Sequence, residues 1–149
     1  MSAERFGKGP RTSYLVARLD RLVRSRLSDV LEPFELTVPQ YTLLSVLEHR
    51  PGLSNAQLAR RSYITAQAMH QVVNGLEERG FIARRVSPDH GRIQLTELTD
   101  EGVAILKACD EEVTRLEEQI FGVLGEKGEA RLRELLLAAI ESDSPHLHH

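Results

Sequence analysis

The fold is decided by residues 54–80, which have the sequence SNAQLARRSYITAQAMHQVVNGLEERG. Ser54 and Gln57 form a capping box, because each side chain can bind a backbone N–H of the other residue. After a break of about three residues, Thr65 can cap a second helix, and Gly80 is a typical stop signal. A short helix, a tight turn and a second capped helix together predict a helix-turn-helix.

The second of these helices has two separable faces. The spacing predicts that one face packs inward, with Ile64, Met69, Val72, Val73 and Leu76. The other face carries five polar residues, Thr65, Gln67, His70, Gln71 and Asn74. No acid occurs from 65 to 76, and Gln and Asn can both donate and accept at an adenine edge. We therefore expect this face to contact DNA; the alternative is an ordinary solvated face, which more often carries Glu and Lys.

A β-hairpin is predicted directly behind this helix. Residues 81–86 have β character, residues 87–91 have turn chemistry, and residues 92–96 alternate polar and apolar side chains. Such a hairpin is the wing of a winged helix-turn-helix, and Arg92 at the start of its return strand can enter a minor groove. Of the adjacent Arg84 and Arg85, at most one can face DNA, since neighbouring strand residues point to opposite faces. The other is expected to pair with an acid or with the helix behind it.

Helices are predicted on both sides of this unit. An amphipathic helix starts at Thr12 and ends before Pro33, and a capping box at residues 37–40 opens a helix that stops at Pro51. Thr99 caps a helix of about 23 residues, roughly 35 Å long, and a last helix spans about 126–141. A chain this small cannot easily bury so long a helix alone. The predicted fold class is mostly α with a small β-hairpin wing.

Composition limits the function. The chain has 149 residues, 41% of them hydrophobic, which suffices for one core. Residues 54–95 carry 6 basic against 3 acidic side chains, and residues 96–149 carry 5 against 13. A basic middle segment suits an acidic partner, although charge alone is equally compatible with a chance distribution. We find no apolar run of spanning length and no N-terminal h-region, and we expect a cytoplasmic protein with no membrane partner.

The chain resembles the MarR family of winged helix-turn-helix regulators. The resemblance covers residues 36–102 and depends on the order and spacing of several short pieces: Leu36-Thr37-x-x-Gln40, Leu58-Ala59, Leu76-Glu77-x-x-Gly80-Phe81-Ile82, Arg84, Gly91-Arg92 and Leu98-Thr99-x-x-Gly102.

The resemblance implies a domain organisation and a function. Residues 36–98 would form the DNA-binding domain, residues 11–34 and 99–142 a helical dimerisation region, and residues 1–10 and 143–149 disordered tails. The family forms homodimers that bind pseudo-palindromic double-stranded DNA, with half-sites about 34 Å apart. Its members mostly repress transcription, and many release DNA when a small, often phenolic, ligand binds.

Two departures from the family pattern affect the DNA contacts. The wing usually carries Asp-x-Arg, but His90 stands at the Asp position and Asp89 lies one residue earlier. The recognition helix also lacks the Arg or Lys that is often present there. Affinity is therefore expected to depend more on the wing and on helix N-termini. The predicted wing and backbone contacts are Ser54, Arg85, His90 and Arg92, in addition to the N-cap Thr65.

Other sites are less supported. Tyr14, Arg18 and Tyr41 lie where the first two helices could line an effector pocket, although packing or a dimer surface would account for each. Cys109 falls on an apolar seam and is expected to be a core residue rather than a redox sensor. We expect no metal or other cofactor, because the histidines lack ligand spacing, and no enzyme activity, because no catalytic motif is present.

Two functions remain from the sequence. The first is a DNA-binding repressor that is released by a ligand. The second is a winged-helix module that binds proteins and not DNA, because the fold does not fix function. The acidic C-terminal third and the recognition helix without a cation keep this second hypothesis open.

Overall fold

The structure, a computed structural model, describes residues 9–62, 64–89 and 91–143. Within them the chain forms six α-helices and three strands: α1 (Thr12–Leu31), α2 (Val38–His49), β1 (Leu53–Ser54), α3 (Asn55–Ser62), α4 (Ala66–Glu78), β2 (Ile82–Val86), β3 (Gln94–Leu98), α5 (Asp100–Phe121) and α6 (Gly125–Asp143). Short 3-10 turns follow α1 (Glu32–Phe34) and α5 (Gly122–Leu124). The predicted tails fall outside the described residues, apart from positions 9, 10 and 143.

The structure confirms the predicted N-caps of α2, α3, α4 and α5. At α2 the Thr37 hydroxyl accepts from the backbone of Gln40 at 3.3 Å, while the Gln40 side chain accepts from the backbone of Thr37 at 3.0 Å. The same reciprocal pair opens α3 at Ser54. Thr65 and Thr99 each accept from the third residue of the helix that follows. These bonds satisfy N–H groups that have no partner inside the helix.

The sheet has one strand more than the predicted hairpin. The strand order is β1-β3-β2, all antiparallel, and Leu53 of β1 lies opposite Thr96 of β3. The predicted hairpin is confirmed as β2 and β3. Strand β1 was not predicted, because a strand of two residues is too short to show an alternating pattern. The return strand also begins at Gln94, two residues later than predicted, so Arg92 lies in the turn.

The core joins every helix of the predicted DNA-binding unit. Its buried members come from the end of α1, from α2, α3, α4, β2 and α5; among them are Leu31, Leu44, Leu58, Met69, Leu76, Ile82 and Leu106. The third helix of this unit, α4, contacts α2, α3 and β2. A single core therefore fixes α4 relative to the sheet and to the long helix α5.

The two terminal helices keep apolar side chains exposed. No residue of α6 is buried, and Leu135, Leu137 and Ile140 are each half-exposed. On α1, Tyr14, Leu15, Val16 and Leu22 are exposed as well. Exposed apolar stripes of this length are typical of an interaction surface.

The backbone that follows α4 lies very close to the first turn of α5. The carbonyl of Phe81 accepts a hydrogen bond from the Thr99 N–H at 3.1 Å. Gly102, in the first turn of α5, lies so close that a Cβ there would overlap this carbonyl oxygen. Only glycine allows the approach, so this residue has a packing role.

We predict that Gly102→Ala destabilises the protein by about 1–3 kcal/mol or more, because the added methyl group must displace backbone. Urea unfolding at fixed protein concentration measures the loss. The matched control is Gly122→Ala, because a Cβ there meets nothing within 4 Å and φ is −57°. An unchanged midpoint for Gly102→Ala would contradict the assigned contact.

Cys109 lies in the core, as its position on the apolar seam predicts. Its exposed fraction is 0%. Burial, together with the charge of Asp110, raises the pKa of the thiol from 9.0 to about 11, and the charge of Arg79 partly opposes this rise. The thiolate is the reactive form, so the folded protein holds this cysteine in an inert state.

We predict slow alkylation of Cys109 by iodoacetamide at pH 8 in the folded protein. Ionisation alone slows the reaction roughly 100-fold relative to the unfolded chain, and burial slows it further. Mass spectrometry over time measures the rate, with the protein in guanidinium chloride as the control. Equal rates in the two conditions would show that the thiol is accessible.

Candidate nucleic-acid interface

The polar face of α4 is exposed as predicted. Met69, Val73 and Leu76 are buried, each at 1% exposure or less, whereas Gln67, His70 and Gln71 are exposed on the other side. Thr65 is exposed and its hydroxyl caps the helix by accepting from Ala68 at 3.0 Å. We name Gln67, His70 and Gln71 the polar face of α4. It presents amide and imidazole groups with no acid among them.

Asn74 lies on the same side of α4 as Gln67 and Gln71, but its side chain has a partner within the chain. It is half-buried, and its side-chain oxygen accepts from Nη2 of Arg84 at 2.5 Å. Strand β2 packs against α4 and brings the Arg84 guanidinium onto this side chain. Asn74 thus lies on the predicted side of α4, but it is only partly exposed and its side-chain oxygen is already bound.

Both adjacent arginines of β2 are paired. Arg84 donates to the carboxylate of Glu77 on α4, with its Nε 2.8 Å from Oε2, and its side chain is 20% exposed. Arg85 points to the opposite face of the sheet, where its Nε lies 3.4 Å from Glu97. The prediction that one arginine pairs with an acid or with the helix holds for Arg84. Arg85, which we expected to contact DNA, also has an acidic partner.

A groove separates α4 from the sheet and the start of α3. It has a volume of about 460 Å³, and its lining includes Ser54, Asn55, His70, Arg84, Arg92 and Gln94. The Ser54 hydroxyl accepts from the Gln57 backbone at 3.2 Å and retains its O–H as a donor. Donors at the start of α3 and the guanidinium of Arg92 give this groove a positive character that suits an anion, while the charge of Arg84 is offset by Glu77.

The wing carries the exposed arginine of this groove. Arg92 is exposed and has no ion-pair partner among the described residues, in contrast to Arg84 and Arg85. The backbone N–H of Asp89 donates to the Ser87 hydroxyl at 3.4 Å. His90 lies outside the described residues.

Two of the three residues predicted to line an effector pocket share a groove, and the third has a partner on α5. Tyr14 and Arg18 lie on the exposed face of α1, with the guanidinium 5.9 Å from the ring centroid, beside an open groove of about 570 Å³. Tyr41 is half-buried between α2 and α5, where its hydroxyl donates to Asp110 at 2.5 Å. Burial, followed by the hydrogen bond to Asp110, raises the pKa of Tyr41 well above its usual value. The helical pattern cannot show such a partner 69 residues away.

Two residues of the interface escaped the sequence analysis. Asn55 donates from Nδ2 to the carbonyl of Ala66 at 3.3 Å and thus ties α3 to the first turn of α4. Glu77 holds Arg84 beside the groove. Among the described residues, no group of three or more metal-binding side chains occurs. Nor does any helix there have the length and apolar character to span a membrane.

The chain was compared with known proteins. A sequence profile of the MarR family matches residues 34–93. The HTH-type transcriptional repressor Rv2887 of Mycobacterium tuberculosis is 33% identical over 123 residues, which cover 83% of this chain and 88% of the relative.

Solved structures show the same fold. A crystal structure of the M. tuberculosis MarR family protein Rv2887 in complex with DNA gives a TM-score of 0.74 at 29% identity, covering 88% of this chain and 98% of that chain. The complex of Rv2887 with salicylic acid gives a TM-score of 0.73 at 31% identity, covering 89% of this chain and 98% of that chain. Apo MarR from E. coli gives a TM-score of 0.78 at 21% identity, covering 89% of this chain and 98% of that chain. The chain therefore belongs to the MarR family and has its winged helix-turn-helix fold.

Proposed function

We propose that the protein is a transcriptional repressor that binds a pseudo-palindromic operator as a homodimer. The observation that carries the proposal is the exposed polar face of α4, which is free of acids and lies beside a groove with two arginines. The relatives support it, because Rv2887 is named a repressor and has been crystallised with DNA.

The polar face of α4 supplies the base contacts. A glutamine can donate and accept at the N6 and N7 positions of adenine in the major groove, so Gln67 and Gln71 favour A·T pairs. His70 lies between them on the groove side. Thr65 and the first turn of α4 lie at a helix N-terminus, where backbone N–H groups attract phosphate.

The wing and the start of α3 supply backbone contacts. Arg92 projects from the turn between β2 and β3, where it can follow the phosphates or enter the narrow minor groove. The Ser54 O–H can donate to a phosphate at the start of α3. His90 and Arg85 remain proposed contacts of the same wing; Arg85 would have to leave Glu97, a pair that is half-exposed and therefore weak.

The terminal helices form the dimer. Contact with a partner would bury the exposed apolar residues of α1 and α6, and a second copy of the chain presents the same apolar surface. Residues 11–34 and 99–142 thus form the dimerisation region, and residues 36–98 form the DNA-binding domain. The two α4 helices of the dimer would enter successive major grooves about 34 Å apart.

A small aromatic acid is the proposed effector. Rv2887 has been crystallised with salicylic acid. In this chain, Tyr14 and Arg18 offer a ring and a cation along the open groove of α1, so a carboxylate or phenolate can pair with Arg18. Tyr41 is already bound to Asp110 and is a neighbour of the core rather than a ligand contact.

The protein acts without catalysis in this proposal. Its partners are DNA, its own second copy and the effector, and its place of action is the cytoplasm, where the chromosome of a bacterium lies. The competing proposal is a winged-helix module that binds proteins and not DNA. A gel shift with duplex DNA, described next, separates the two proposals.

DNA binding should depend on the salt concentration and on Arg92 in the wing. A gel shift with an operator selected from random duplexes should weaken by about a decade or more between about 50 and about 200 mM salt. Arg92→Ala should weaken binding to all sequences and reduce the salt slope by about two per dimer. Lys107→Ala, which removes an exposed cation of α5, is the charge-matched control. Failure to select any duplex at low salt would leave the protein-binding module as the function.

The second prediction separates Gln71 from Asn74. Gln71→Ala should cost about 1–3 kcal/mol at one base pair and relax the preference there. Asn74→Ala should leave base preference unchanged, because the Asn74 side chain is bound to Arg84. Competition with singly substituted operators measures both effects. A change of preference in Asn74→Ala alone would reverse the assignment.

The third prediction concerns the effector. Millimolar salicylate should release the operator, and salicylamide, which has the same ring without the carboxylate, should not. Arg18→Met should raise the salicylate concentration needed for half-release, because the ion pair is lost. Fluorescence anisotropy of labelled operator gives these concentrations. Equal effects of salicylate and salicylamide would exclude a charge pair at this site.

A further inference from the structure

Arg79 makes an unusual set of contacts at the C-terminal end of α4. Its Nη1 donates to the carbonyl oxygen of Glu35 at 2.5 Å, and its Nη2 donates to that of Phe34 at 3.0 Å. The guanidinium also lies over the ring of Phe81, with Cζ 4.8 Å from the centroid. The planar fork of arginine fits two successive carbonyls and an aromatic face at once.

The two carbonyls belong to the connector between α1 and α2, which we define as residues 32–35. Glu35 has a φ of 55°, in the left-handed region that non-glycine residues rarely adopt. Its N–H donates to the Glu32 carbonyl at 2.9 Å, and the N–H of Leu36 donates to Leu31 at 3.4 Å. The connector is therefore a tight turn whose outward carbonyls are held by Arg79.

The same end of α4 is fixed to α5. The Phe81 N–H donates to Leu76 at 3.0 Å, and the Phe81 carbonyl accepts from Thr99. The Thr99 hydroxyl donates to the carbonyl of Gly80 at 2.5 Å. The end of α4 is thus attached to the start of α5 through Phe81 and the Thr99 hydroxyl, and to the connector that follows α1 through Arg79.

We propose that Arg79 is a positioning residue for DNA binding: by joining α4 to the connector that ends α1, it fixes the separation of the two α4 helices in the dimer and so the half-site spacing that the dimer accepts. The proposal rests on the homodimer and the DNA-binding function proposed above. Arg79 does not contact DNA in this account, because its guanidinium is directed at the connector and it lies at the opposite end of α4 from Gln67.

Other side chains cannot replace this contact. Lysine has one ammonium group in place of the fork, so it can reach one carbonyl at a time and cannot stack as a plane on Phe81. Methionine keeps apolar contact with the ring and donates no hydrogen bond. Arg79→Lys should therefore have an intermediate effect and Arg79→Met the larger one.

The first test measures the separation of the α4 helices without DNA. Spin labels are attached at Gln67→Cys in a Cys109→Ala background, and double electron–electron resonance gives the distance distribution in the dimer. The parent should show one narrow maximum. Arg79→Met should broaden or shift it by about 3 Å or more, the rise of one base pair. The matched control Arg60→Met, which removes an exposed arginine of α3 outside the dimerisation region, should not. Circular dichroism verifies that each variant is folded.

The second test measures half-site spacing. The operator selected by the wild-type protein is compared with one that has an extra base pair between its half-sites, which moves one half-site by about 3.4 Å and rotates it by about 35°. The wild type should prefer the original spacing by about tenfold or more, and this ratio should fall about threefold or more in Arg79→Met. Arg79→Lys should lie between them.

The outcomes distinguish the inference from the function on which it rests. If the wild type forms no dimer or binds no duplex, the proposed function fails and the inference fails with it. If the wild type dimerises and discriminates the spacings, while Arg79→Met gives the same distances and the same ratio, the function stands and the role of Arg79 is refuted.

Discussion

The orientation of α4 depends on the burial of its apolar side. Met69, Val73 and Leu76 are almost completely removed from water, and each such side chain contributes about 1.5–3 kcal/mol. Their sum is comparable with the whole stability of a small domain, about 5–15 kcal/mol. A rotation of α4 that hid its polar face would lose this contribution. The exposure of Gln67, His70 and Gln71 is therefore a consequence of the core and not a separate feature of the surface.

A second constraint acts at the level of the dimer. Within one chain, Arg79 and the backbone of Phe81 attach α4 to the connector after α1 and to α5, whereas apolar side chains of α1 and α6 remain exposed. In the proposed homodimer, α1 is part of the dimer contact and is also joined to α4 through Arg79. The spacing of the DNA contacts then depends on contacts made far from the DNA. A ligand beside α1 could alter DNA binding by this route.

Local signals allowed the helices to be predicted from the sequence. The caps at Thr37, Ser54, Thr65 and Thr99 depend on residues at most three positions apart, and all four are present in the structure. The two faces of α4 followed from its 3.6-residue period, although the period could not show that Asn74 is bound to Arg84.

Contacts between distant parts of the chain could not be predicted. Strand β1 is visible only once its partner strand β3 is in place, and the bond from Arg84 to Asn74 needs the packing of β2 on α4. The bonds from Tyr41 to Asp110 and from Arg79 to Glu35 join residues 69 and 44 positions apart. No periodicity or cap signals such pairs, because they arise from tertiary packing. They are also the contacts that decide which polar side chains remain available to a partner.

In the proposed complex, two copies of α4 enter successive major grooves on one face of the DNA. Hydroxyl-radical footprinting of the protein on its selected operator measures this arrangement. We expect protected patches on both strands, related by a two-fold axis and repeated after about 10 base pairs on one face of the duplex. A single protected patch without two-fold symmetry would contradict it.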